Sequence, residues 1–204
     1  MPLSTPNARR HLHSRSIDLR GYYRDDNLWD IEAHIVDVKT YSYDSRWRGT
    51  VPAGYPVHDM WLRLTLDHQL VVREVEAVMD VQPYTLCSDV TPNFQRLIGL
   101  KIGPGWNRKV RAAVGGIEGC THLAELLGPI ATVTFQTVAG DYAKQLMGME
   151  TGQKGKMAGA AEGDTPFMLN GCYTWASDSP VVKEDYPLYY KASERKVIGS
   201  DRQG

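Results

Sequence analysis

Three runs in this chain alternate apolar and polar residues with a period of two, and that pattern restricts the fold more than any other feature. In WDIEAHIVDV, residues 29 to 38, the apolar Trp29, Ile31, Ala33 and Ile35 alternate with Asp30, Glu32 and His34, as in a strand with one buried face. From Val57 to Leu66, the residues His58, Met60, Leu62, Leu64 and Leu66 share a face, and Asp67-His68-Gln69 then turns the chain. Between 71 and 81, Val71, Val75, Ala77, Met79 and Val81 oppose Glu74, Glu76 and Asp80. Successive alternating runs joined by turn residues predict an antiparallel meander covered on one side.

Helical signals follow the third run. Thr91-Pro92 offers a capping hydroxyl and a first-turn proline, with Phe94, Leu97 and Ile98 as the apolar stripe and Gly99 as the stop. A second helix is expected from about Trp106 to Val114, closed by Gly115-Gly116. A third opens at Thr121, carries Leu123, Leu126 and Leu127, breaks or kinks at Gly128-Pro129 and resumes from Ala131 to Val138. The expected class is therefore α+β, an antiparallel sheet of three or more strands with helices on one face. Four segments are expected. Residues 1–28 form an Arg/His/Tyr-rich stretch, either solvated or at a sheet edge, and 29–146 form the core domain. Residues 147–164 are glycine-rich without apolar period and read as a flexible segment, while 165–204 form an extension docking on the core as a short strand and tail.

Charge and composition narrow the function. Lys plus Arg number 23 against 24 Asp plus Glu, so no basic footprint recommends a nucleic acid partner. No run of about 18 apolar residues offers a membrane span, and MPLSTPNARRHLHSR lacks an apolar leader core, so a cytoplasmic protein is expected. A homo-oligomer is compatible with this composition. Cys87, Cys120 and Cys172 are too few for a disulfide framework, which leaves thiol chemistry, metal binding or burial.

The stretch GGIEGCTHLAELLGP, residues 115 to 129, sets Cys120 two residues before His122 at a helix start. His58 shares a face with Met60, Leu62 and Leu64, and Tyr84 follows Pro83 at a strand end. His58, Tyr84 and His122 are thus expected where strand ends meet helix starts, with Cys120 bordering the pocket. A desolvated histidine there can take a proton while a tyrosine or helix N-terminus stabilises the anion that forms. The arginines at 9, 10, 15, 20 and 24 suit a carboxylate or phosphate. Arg24, Trp61, Trp106 and Cys120 are the expected substrate contacts. No phosphate loop, dinucleotide fingerprint, nucleophile elbow or H-E-x-x-H is present, which favours proton chemistry without an organic cofactor, or hydrolysis with a metal.

Two resemblances add to this. Through G-Y-x-R-D-D-x-L-W-D-I-E-A-H, V-H-D-M, P-Y-x-x-C and G-C-T-H-L, the chain from roughly Arg15 to Val138 resembles the bacterial domain of unknown function 2889 family, which is associated with catabolic gene neighbourhoods. More distantly, the order of strands and helices is similar to that of NifU-type iron–sulfur scaffolds and their SufE-like relatives. That likeness implies a metal set of Asp59, Cys87 and Cys120, completed by His58 or His122 because Val57 stands where the scaffolds carry their first cysteine. Such a set would accept zinc or an iron–sulfur cluster.

The expected function is a cofactor-independent lyase or isomerase of bacterial catabolism, acting by acid–base chemistry on a small molecule. With 11 tyrosines and 5 tryptophans, an aromatic or phenolic substrate is expected. The alternative is a metal or iron–sulfur carrier.

Overall fold

The alternation that opens at Trp29 produces the central strand of the sheet. The computed structural model describes residues 3–140 and 168–192, together with positions 143, 145 and 148. It divides into two units, Met1–Thr137 and Val138–Gly204, each described by itself. In the first, β1 (His13–Tyr23), β2 (Trp29–Lys39), β5 (Pro56–Leu66) and β6 (Val72–Val81) form an antiparallel sheet in the order β1-β2-β5-β6. A small hairpin of β3 (Tyr43–Ser45) and β4 (Gly49–Val51) lies between β2 and β5 in the chain. The α+β class is the expected one. The N-terminal segment supplies a fourth strand, so of its two expected readings the sheet edge is the one adopted.

Alternation places Trp29, Ile31, Ala33 and Ile35 of β2 and Met60, Leu62, Leu64 and Leu66 of β5 at no more than 2% exposure, all on one face. The opposite face carries rows of charge. Arg20, Glu32, Arg63 and Glu76 stand side by side across all four strands, with Arg63 bonded to both glutamates. Cross-strand pairs of this kind keep that face wetted.

After β6 the chain runs through a succession of 3-10 turns, Thr85–Leu97, which buries Phe94 and Leu97. Thr91 does not cap a helix there. Its hydroxyl donates to the Ser88 carbonyl, and Pro92 lies inside the element. Helix α1 (Trp106–Val114) has the expected bounds and buries Trp106, Val110 and Val114, one turn apart. Helix α2 (Thr121–Val138) runs through Pro129 as a single element, so the expected break is absent. The proline forfeits one backbone hydrogen bond, but Leu123, Leu126, Leu127 and Ile130 are buried on both sides of it, and tertiary burial outweighs that loss. Trp106 Nε1 donates to the Leu127 carbonyl at 2.8 Å and ties α1 to α2.

Contacts between α2 and β1 fix the helix over the buried face. Glu125 meets Arg15, and Thr137 lies against Gly21. Six strand residues cover roughly 20 Å and twelve helical residues about 18 Å, so helix and strand run side by side. A Cβ at Gly21 would collide with the Thr137 side chain. We expect Gly21→Ala to cost about 1–3 kcal/mol and Thr137→Ala to recover part of it, read from thermal melts. An unchanged melting temperature for Gly21→Ala would contradict this packing.

In the second unit, the described residues form turns and a short helix α3 (Pro180–Asp185), capped by Ser179, whose Oγ accepts from Val182 N. No strand occurs among them, contrary to the short strand expected, because Pro180 and the Ser179 cap start a helix instead. Except for Gly148, the glycine-rich segment 147–164 lies outside the described residues. No described helix is long and apolar enough to cross a membrane.

Candidate functional site

The inward phase of β2 continues one step beyond Ile35 and places a carboxylate, Asp37, where an apolar residue is due. Asp37 is 1% exposed. In the sheet register it stands between Arg15 on β1 and His58 on β5, giving a row of three polar residues across three strands on the buried face. A buried carboxylate is tolerable only when its oxygens are fully engaged. Here Oδ1 accepts from Arg15 Nε at 2.8 Å and lies 3.1 Å from His13 Nε2, while Oδ2 accepts from an Arg15 amino group at 2.8 Å and from His58 Nδ1 at 3.0 Å. The other Arg15 amino group donates to Glu125 on α2 at 2.5 Å.

The start of α2 closes the row from above. His122 lies ring over ring with His58, centroids 3.7 Å apart, and its Nε2 is 3.9 Å from Asp37 Oδ2. Cys120 Sγ sits 3.9 Å from His122 Nδ1. Beside this cluster a cleft of about 450 Å³ runs between α1 and α2, lined among others by Arg111, Val114, Cys120, Ala124 and Glu125. That volume is in the range of small-molecule sites.

Each group's protonation follows from its surroundings. Burial pushes the Asp37 carboxyl up, but the Arg15 fork and the His58 bond outweigh it and hold the group below the usual carboxylate range. Burial pushes His58 below the ordinary imidazole value; neighbouring His122 pushes the same way, and Asp37 offsets only part of this. His122 is likewise lowered by burial and by the Arg15 charge, against the opposing pull of Asp37 and Glu125. At neutral pH Asp37 is therefore a carboxylate beside the Arg15 guanidinium, and His58 and His122 are neutral imidazoles. Because the Asp37 oxygen can only accept, His58 carries its proton on Nδ1 and keeps a lone pair on Nε2.

Of the expected site residues, His58, His122 and Cys120 come together. Tyr84 does not join them. It is 53% exposed, its ring edge-on to Trp47, because the chain has already left the sheet at Val81. Trp61 lies on the charged face, stacked on His34 at 3.7 Å, since it is an odd number of residues from His58 along one strand. Arg24 is bound to Asp26, Asp30 and Glu74 and so is committed to neighbouring acids. Trp106 is a core residue. The suggested metal set is also dispersed. Asp59 adjoins His58 in sequence, hence faces the other way, and binds His34 at 2.6 Å. Cys87 belongs to the 3-10 stretch and joins no such cluster with Asp59 and Cys120.

One group among the described residues could hold a metal ion, Asp37, His58 and His122, whose ligand atoms lie within 4.8 Å of one another. Two imidazoles and a carboxylate suit zinc or iron. Against this, Arg15, His13 and His58 already use both Asp37 oxygens twice.

An antiparallel sheet with helices over one face and an Arg–Asp–His row centred on the buried Asp37 beneath a helix start defines an α+β domain built around an ionised, histidine-flanked centre. The chain belongs to the family described as Protein of unknown function (DUF2889), whose model matches residues 13–136. That match spans the whole sheet and every member of the cluster, from His13 to Glu125. No curated protein and no solved structure matches the chain, so the scaffold likeness remains an expectation only.

Proposed function

We propose that this protein is an acid–base catalyst, a lyase or isomerase of small organic molecules, with His58 as the proton acceptor. The observation that carries the reading is the Arg15–Asp37–His58 row. The guanidinium keeps Asp37 ionised, Asp37 fixes the His58 tautomer, and burial keeps the imidazole neutral and able to accept a proton. His58 Nε2 takes a proton from the substrate, whose electron pair stays behind as a delocalised anion. In an isomerase the proton returns at another atom, and in a lyase the pair expels a leaving group. His122, neutral and with its ring tilted over that of His58, is placed to share the proton. The substrate is proposed to enter by the α1–α2 cleft, whose Cys120 adjoins His122, and an aromatic or phenolic molecule is the class proposed.

Deuterium wash-in tests this on a range of candidate substrates at once. A panel of aromatic and phenolic acids and ketones with an acidified C–H, incubated with the protein in D2O, should show enzyme-dependent loss of that proton signal for at least one member. Absence of exchange across the panel would count against the reading.

A second reading, a metal-dependent enzyme or carrier, is favoured by the Asp37, His58 and His122 grouping. Elemental analysis of protein purified without chelators separates the two. Stoichiometric zinc or iron, lost in His58→Gln, would support it over the first.

A further inference from the structure

The α1–α2 cleft contains a cation and a space that the proton-transfer cluster does not use. Arg111 lines it, and among the described residues Arg111 has no acidic partner. The neighbouring acid, Glu125, is already bound to Arg15, and Arg96 of the 3-10 stretch takes Glu118. Among the described residues, the uncommitted charge on the cleft wall is therefore positive. Gly128 lines the same cleft from the interior of α2, and a Cβ there would meet no atom within 4 Å. Glycine weakens a helix interior relative to alanine. Nothing in the packing demands it here, and what it provides is room. Val110, Val114 and Ala124 give the remaining wall an aliphatic strip, beside Asn107, Cys120 and Thr121.

We propose that this cleft binds a small organic carboxylate, its carboxylate held by the Arg111 guanidinium and its apolar body lying along Val110, Val114 and Ala124 in the space left by Gly128. An arginine fork matches a carboxylate in two parallel hydrogen bonds, and an aliphatic wall accepts a flat ring or short chain. The inference rests on the proton-transfer reading for its meaning as a substrate site, since Cys120 and Glu125 join the cleft to the His122 and Arg15 cluster. Its binding test is independent of that reading.

Benzoate serves as the probe and benzamide, its neutral isostere, as the control, each titrated into 15N-labelled full-length protein. Benzoate is expected to shift the amide signals of Gly115, Gly116 and Ala124, with benzamide at least tenfold weaker. Arg111→Gln should weaken benzoate about tenfold, and Gly128→Leu, which fills the cleft, should abolish its shifts while the rest of the spectrum stays native. Gly128→Ala, a milder filling, should weaken binding without unfolding the helix. Equal binding of benzoate and benzamide, shifts elsewhere, no binding at all, or full binding by Arg111→Gln would overturn the proposal. Benzoate binding without deuterium wash-in would sink the catalytic reading alone, and wash-in that survives Arg111→Gln unchanged, with no benzoate shift, would sink this one alone.

Discussion

Replacing Asp37 by alanine will destabilise the protein by about 1–3 kcal/mol, because a buried acceptor that satisfies several donors is lost. The Asp37 side chain is 2% exposed and anchors Arg15, His13 and His58 together, so three donors lose their acceptor at once. Arg15→Met acts from the other side. It strips the carboxylate of its main counter-charge, and burial then drives Asp37 toward its neutral form. The double variant Arg15→Met with Asp37→Leu should recover part of the loss, since an apolar residue of similar size removes the desolvation penalty of the buried carboxylate. Urea denaturation at neutral pH measures all of these. A loss below about 1 kcal/mol for Asp37→Ala, the range of an exposed pair, would show that the row contributes little to holding the sheet under α2.

His58→Gln should reduce deuterium wash-in by about 10²–10⁴-fold with the fold retained. Glutamine can still donate a hydrogen bond to Asp37, but it has no basic nitrogen. The same substitution should alter the acid limb of stability in a defined direction. His58 and His122 are held below the ordinary histidine value in the folded state, so the unfolded chain binds more protons as pH falls through about 6.5. Their contribution to stability is therefore complete above that pH and is lost as pH falls toward their folded values. Asp37, also lowered, adds a further loss of the same sign below about pH 4. His58→Gln should flatten the first part of this decline and leave the second. An unchanged wash-in rate, or a decline between pH 7 and 5 identical to that of the wild type, would contradict the assignment of His58.

The strands are legible in the sequence because their period survives in single residues. Trp29, Ile31, Ala33 and Ile35 are all buried, as their alternation requires. The same alternation, followed only as far as Ile35, stops one step short of the site. Asp37 continues the inward phase, and an acid at such a position is a stronger pointer to function than the histidine beside it. Arg15 is harder to find. Its meaning depends on the register of β1 against β2, and β1 is an edge strand whose residues are mostly exposed and so lack an apolar period. Tyr84 is expected at the site because it follows Pro83 at a strand end, and Trp61 is expected among the substrate contacts. Strand geometry undoes that reasoning, since adjacent residues point to opposite faces and a strand end carries its side chains away from the sheet. The break expected at Gly128-Pro129 fails for a different reason. Local propensity gives way to a helix buried on both sides of the proline. The pairing of His58 with His122 is the part of the site that strand face and helix start together make readable.

The central claim is that Asp37 and burial hold His58 as a neutral imidazole, protonated on Nδ1, at physiological pH. Long-range 1H–15N correlation spectra of the histidine rings, recorded as a function of pH on the metal-free wild type and on Asp37→Asn, test it directly. In the wild type, His58 should show a protonated Nδ1 and an unprotonated Nε2 at pH 7, with a midpoint below the ordinary histidine value, and the Nδ1 tautomer preference should weaken in Asp37→Asn. A His58 ring protonated on both nitrogens at pH 7, or a tautomer that does not respond to Asp37→Asn, would contradict it.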